Sequence, residues 1–315
     1  MTATVCYFVQ THRDPEQIYR LLRRLRAGSP RAPIVVVHDF ANCDLDTAPL
    51  AELDVHLLRP ARPMIRTDYG CQVQTYLDVV DWLERERISY DWLVNLTGQD
   101  YPVRPVAAIE AFLGGATCDG FIDFWDVRSS ASPWSWRKAR ARYWYRYWRL
   151  SPQAEPVLRA LRPLTRFLPL HVYLDYGALL GVRALRTPFH QGFRCHGGWP
   201  WFSLPRRTVL YLRDFLAAHP EVVRHYRGTV IPEESIVPTV LVNSGRFELV
   251  NDSHRYIDYS RAVKGAPRTL TVADLPALAS GRYHFARKFD LAVDREVLDR
   301  IDRELLGMAP PGPPA

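Results

Sequence analysis

Residues 5–10 form a compact apolar run, and Asp14-Pro15 follows before Ile18, Leu21, Leu22 and Leu25 recur at helical spacing. Proline suits a first helical position and Asp14 with Gln17 three residues on suits a reciprocal cap, so a helix is predicted to start there. Apolar runs at 34–37 and 55–58 predict a second and a third buried strand, and Val73, Tyr76, Leu77, Val80 and Leu83 trace one face of another helix. Residues 92–96 and 120–125 predict a fourth and a fifth strand. Short apolar strands alternating with amphipathic helices predict an α/β fold whose largely parallel sheet is flanked by helices. Such sheets bind ligands beyond the carboxyl ends of their strands, which directs attention to the loops beginning near Thr11, His38, Thr97 and Asp126.

The pattern then loosens. Residues 129–149 are basic and aromatic without a clean period and read as an insertion beside the site, and 172–203 has no clear period either. Helices are predicted over 208–216, from 232 to 242 and over 274–278, and the proline-rich end predicts a disordered tail from 306 to 315 behind a single domain spanning 1–305. The 315 residues, 47% of them hydrophobic, suffice for a substantial core. No stretch reaches the roughly 20 apolar residues of a membrane span, and the start lacks a basic leader, so a cytoplasmic location is expected, compatible with peripheral contact at the inner face of a membrane. The net charge of +7 favours anionic partners, although Arg over Lys with many Ala and Pro is also the composition of a high-GC bacterial genome. Five scattered cysteines without a CxxC pair fit reduced thiols better than a disulfide framework or a zinc site.

Four strings carry the chemistry. They are Asn95-Leu96-Thr97-Gly98-Gln99-Asp100-Tyr101-Pro102, Gly197-Gly198-Trp199-Pro200-Trp201-Phe202-Ser203-Leu204, Pro232-Glu233-Glu234-Ser235 with Thr239-Val240-Leu241, and Phe285-Ala286-Arg287-Lys288-Phe289-Asp290. In this order and at this spacing the chain resembles the core-2/I-branching β-1,6-N-acetylglucosaminyltransferase and peptide O-xylosyltransferase family, and the run from Glu234 to Ser244 looks closer to the xylosyltransferase branch. The resemblance implies a GT-A-like fold without the metal-binding DxD, and inverting transfer of a sugar, xylose or N-acetylglucosamine, from a UDP donor to an acceptor hydroxyl. No cofactor and no metal are expected. After the fourth strand the chain offers the single carboxylate of Asp100, a poor cation site; Asp44-Leu45-Asp46 lies in a loop after the second strand.

The resemblance also implies roles. Glu234 matches the catalytic base, and Glu233 beside it either assists on the acceptor side or is a helix-start carboxylate. Lys288, with Arg287, matches the cation that stabilises the departing diphosphate, and Arg268 or Lys264 stands near the place of a second cation. Gly98, Gln99 and Asp100 either close over the donor sugar or order the turn before Pro102. His12 and Asp39 stand in the loops that face the uracil in relatives, where a histidine also serves as a structural hydrogen-bonder. Gly198 and Trp201 fall on the acceptor side, the glycine permitting close contact. The acceptor, whether glycan, peptide, lipid-linked sugar or natural product, has no signature in the sequence. The competing reading is a nucleic-acid-binding or membrane-surface protein acting through 134–149; the four strings lie outside that segment, and nucleic acid is not expected as a partner.

Overall fold

A computed structural model describes residues 3–65, 67–163, 165, 167–262 and 265–310. Its centre is a seven-stranded sheet in the spatial order Leu249–Asn251, Gly120–Ile122, Phe202–Pro205, Trp92–Thr97, Val5–Thr11, Ile34–His38, His56–Leu58. Every pairing is parallel except those of Phe202–Pro205, which runs antiparallel to both neighbours. This mixed but mostly parallel sheet between helices is the GT-A-like α/β architecture expected from the sequence. Strands Val5–Thr11 and Ile34–His38 are buried at every position, because helices cover both faces. Tyr7 and Val9 enter one core with helices Pro15–Gly28 and Val106–Gly115, while Cys6 and Phe8 enter a second with helices Thr75–Arg85 and Arg206–Ala218.

The parallel register aligns the polar ends of the strands. Gln10 lies opposite Thr97 and Thr11 opposite His38, and the Thr11 hydroxyl and His38 Nδ1 are 2.8 Å apart. Next to this edge a small sheet pairs Asp100–Pro102 antiparallel with Phe285–Arg287, which in turn runs parallel to Arg255–Ile257.

Several elements depart from the pattern. Asp14 is in the left-handed region with no side-chain cap bond, and Gln17 is buried instead, its amide donating to the carbonyls of Gly98 (2.9 Å) and Phe289 (3.0 Å). The predicted fifth strand is split into Gly120–Ile122 and Trp125–Asp126. The segment 129–149 is not irregular: Ser135 caps helix Trp136–Tyr143 by accepting from the Lys138 amide, and Tyr145–Arg149 is a strand paired with Leu179–Arg183, itself paired with Leu170–Tyr173. Its period is obscured because helix passes directly into strand. The helix predicted from 232 begins at Ile236, after a single 3-10 turn, Pro232–Glu234. Leu306 is buried and the Met308 amide donates to the Asp302 carbonyl, within the segment expected as tail; 311–315 lie outside the described residues.

The C-terminal segment is tied to the first helix through buried charge. Asp302 is buried, faces Arg20 at 2.6 Å and Arg24 at 2.7 Å, and accepts from the Tyr101 hydroxyl at 2.9 Å. Removing one member leaves the cations uncompensated in the interior, so Asp302→Ala should cost about 3–5 kcal/mol. Urea denaturation of the two proteins measures the difference; a change within ~0.5 kcal/mol would mean that the cluster is solvated.

Candidate active site

The first wall of the site is where the fourth strand ends. Asp100 pairs in register with Arg287, and its buried carboxylate accepts from the Thr97 amide and the Thr97 hydroxyl. Arg287 Nη1 approaches the same carboxylate at 3.4 Å, and its guanidinium lies 3.9 Å from the centre of the Trp201 ring. Gln99 and Phe289 bond reciprocally: the Phe289 amide donates to the Gln99 carbonyl at 3.0 Å, and the Gln99 side-chain amide to the Phe289 carbonyl at 3.3 Å. Lys288, half-buried between Arg287 and Phe289, accepts from the Leu270 amide through its own carbonyl at 2.9 Å. Two of the four strings are thus bolted together. Asp100 orders the turn, one of the two readings left open by the sequence. Gly98 serves close packing against the first helix: a Cβ there would lie 3.1 Å from Ile18 Cγ1 and 3.3 Å from Thr11 Cγ2.

The second wall holds the paired carboxylates. Ile231 adopts φ 58°, unusual for a β-branched residue, and Ser235 at φ −139° breaks the chain again before the helix. Between these bends Glu233 and Glu234 meet different surroundings. Glu234 Oε2 accepts from Arg142 Nη1 at 2.5 Å. The Glu234 side chain keeps 14% of its surface exposed, so it can be reached, whereas Arg142 is buried. Burial opposes the charge on Arg142, yet Glu234, Tyr143 and Tyr173 outweigh it and hold the guanidinium above its ordinary pKa. The ring of Trp134 lies 4.7 Å from that guanidinium. The Gly198 amide donates to the Glu234 carbonyl at 2.8 Å, and a Cβ at Gly198 would stand 2.1 Å from the Asp123 carbonyl oxygen, so only glycine fits.

Glu233 is interior. It borders a cavity of about 30 Å³ with Gln10, Thr97 and Trp201, room for a water molecule. Its Oε2 has no hydrogen-bond partner among the described residues, and burial, with the Glu234 charge adding to it, raises the carboxyl pKa to about 8. Glu233 therefore faces inward, toward the strand ends. Tyr259 joins the walls: burial pushes its phenol above the usual range, Glu234 adds to this, and Arg287 and Arg142 oppose it, so Glu234 and Arg287 both act on this one phenol. Trp199 stacks on Tyr259 with ring centroids 4.4 Å apart.

Other candidates fall elsewhere. Arg268, one of the two residues considered for a second phosphate cation, is held by Asp258 at 2.5 Å and by both oxygens of Asp274. Lys264 lies outside the described residues. His12 is exposed past the end of the first strand. Asp39 is buried and orders its own loop, accepting from the Ala41 amide at 3.2 Å and the Asn42 side chain at 2.5 Å. Asp44 and Asp46 are exposed, and Asp46 accepts from the Ala48 amide at 3.0 Å at the start of a short helix. Among the described residues no group of three or more His, Cys, Asp or Glu is arranged to hold a metal ion. Sequence reasoning missed Arg142 and Gln17. Arg142 is one basic residue among several in 134–149, and Gln17 fitted a helix cap equally well.

A mostly parallel sheet with arginines and a reachable carboxylate gathered past its strand ends is a GT-A-like arrangement. The description of the Core-2/I-Branching enzyme family matches residues 65–278, and the chain belongs to that family. It is 26% identical over 271 residues to Beta-glucuronosyltransferase GlcAT14A of Arabidopsis thaliana, covering 82% of this chain and 52% of that protein. It is 28% identical over 254 residues to Xylosyltransferase 2 of Rattus norvegicus, covering 75% of this chain and 26% of that one. The chain therefore spans about half the length, or less, of these curated relatives. Among solved structures, a putative glucose-1-phosphate thymidylyltransferase from Bacillus anthracis matches with a TM-score of 0.36 and 7% identity, over 78% of this chain and 85% of that one.

Glu233 generates a pH dependence. Its folded pKa of about 8 lies above the ordinary 4.5, so the folded state holds a proton that the unfolded state releases, and stability falls as pH rises from about 4.5 to about 8. Glu233→Gln should flatten the curve in this window and be the more stable protein at pH 8. Thermal midpoints of both proteins from pH 5 to pH 8.5 check this; parallel curves would put the carboxylate in water.

Proposed function

We propose that the protein is an inverting glycosyltransferase that moves a sugar from a UDP-sugar to an acceptor hydroxyl without a divalent cation. The observation that carries this reading is the Glu234 carboxylate, fixed through Oε2 by buried Arg142 while its side chain stays partly exposed. In the proposed step Glu234 takes the proton of the acceptor hydroxyl as its oxygen forms a bond to the anomeric carbon. The bond from that carbon to the diphosphate oxygen breaks on the opposite face, and UDP leaves with the electron pair. Lys288 offsets the charge growing on the diphosphate. Arg287, matched by Asp100, contributes position more than net charge.

The donor is chosen among the sugars that the relatives' names and the resemblance suggest: UDP-xylose, UDP-glucuronic acid and UDP-N-acetylglucosamine form the first screen, by thermal shift and then by slow donor hydrolysis. The acceptor is a compound that offers a hydroxyl to Glu234.

Glu234→Gln keeps shape and hydrogen bonding but cannot take the proton, so UDP affinity should hold while transfer falls by about two to four decades. Lys288→Ala should lower both, because a charge-assisted contact of about 1.5–3 kcal/mol is present before and during reaction. Calorimetry with UDP and turnover of each variant separate the two roles. Near-normal turnover in Glu234→Gln would move the base elsewhere, and unchanged UDP affinity in folded Lys288→Ala would remove the lysine from the donor site.

A further inference from the structure

The small sheet formed by Tyr145–Arg149, Leu179–Arg183 and Leu170–Tyr173 has one face turned inward and one only partly covered. Directly opposed residues of antiparallel strands project to the same side. Leu180 faces Trp148 and Val172, and Val182 faces Arg146 and Leu170, so these share a face. Helix Glu155–Leu161 covers the Val172 end through Leu158, but Trp148 stays 49% exposed. At the end of the sheet the Arg183 amide donates to the Pro169 carbonyl at 2.7 Å, which brings the chain just before Leu170 beside the chain just after Arg183. There Phe167 is 86% exposed, Leu168 52% and Leu185 fully. Single exposed apolar residues are ordinary, but a cluster of this size marks a contact surface.

Charge says what the contact is. Residues 134–186 hold eleven Lys and Arg against two Asp and Glu, while the whole chain has a net charge of +7, so the remainder of the protein is slightly negative. Exposed aliphatic and aromatic side chains set among arginines match a bilayer with acidic headgroups: the apolar groups enter the acyl boundary while guanidiniums remain at the phosphates. A nucleic acid would stack on exposed planar rings; Trp148 and Phe167 are exposed, but so are Val157, Leu161, Leu168, Val182 and Leu185, aliphatic side chains that cannot stack and that suit an acyl boundary. We propose that this face of the 134–186 segment docks the protein on an anionic phospholipid surface. The same segment carries Arg142, which fixes Glu234, so docking holds the cleft beside the lipid–water boundary, where an acceptor attached to lipid would be presented.

The test is co-sedimentation of the full chain with vesicles of phosphatidylcholine alone and with roughly one third phosphatidylglycerol. Binding is expected only to the anionic vesicles and should weaken as salt is raised. The double variant Phe167→Glu/Leu185→Glu should lower partitioning at least about ten-fold with an unchanged thermal midpoint, since both side chains are exposed. Arg146→Glu/Arg186→Glu, the first of which lies opposite Val182 on this face, should weaken binding by a similar factor without the apolar change. The proposal is overturned if the wild-type chain ignores anionic vesicles, if both double variants bind as it does, or if a single-stranded oligonucleotide displaces the vesicles at lower concentration than soluble phosphatidylglycerol headgroup. Concentration-dependent dimerisation through this face without vesicle binding would overturn it as well.

Discussion

The site depends on one buried ion pair, that of Asp100 with Arg287. Asp100 closes the turn after the fourth strand by accepting from Thr97, and its pairing with Arg287 draws the C-terminal string against the strand ends. Gln17, Gln99 and Phe289 then lock both flanks through backbone carbonyls. A carboxylate and a guanidinium so far out of water are stable only because each has further partners: Thr97 for the one, the face of Trp201 for the other. The position where many GT-A enzymes carry a metal-binding carboxylate pair is filled here by a carboxylate already committed to an arginine. That commitment aims Arg287 and places Lys288 beside it.

The opposite wall uses the same economy with different geometry. Two bends in the backbone, at Ile231 and Ser235, isolate Glu233 and Glu234 on one short turn. One carboxylate goes inward and stays protonated near neutrality; the other meets a buried arginine and remains within reach of a substrate. Such unlike surroundings suit the division proposed above, with Glu233 structural and Glu234 the base. Arg142 restricts Glu234 without covering it, and Trp134 beneath Arg142 restricts the arginine in turn.

Much of the fold was legible because strands buried on both faces must read as unbroken apolar runs, as 5–10 and 34–37 do. The four strings were legible as chemistry because they join glycine, carboxylate and cation at points where strands end. What could not be read was which charges meet. Arg142 reaches Glu234 across 92 positions, and nothing within 134–149 distinguishes it from its neighbours. Arg268 pairs with Asp258 and Asp274, and its sequence neighbourhood does not show that both carboxylates reach it. Gln17 fitted two roles, and only packing chose the buried one.

In the proposed reaction protein side chains, with no divalent ion, meet the charge of the donor diphosphate beside the Asp100–Arg287 pair. Calorimetric titration of UDP into the metal-stripped wild-type chain, with and without excess EDTA, tests this. Superimposable binding curves are expected. Loss of UDP binding on chelation, restored by added magnesium or manganese, would contradict it and return Asp44 and Asp46 to consideration as metal ligands.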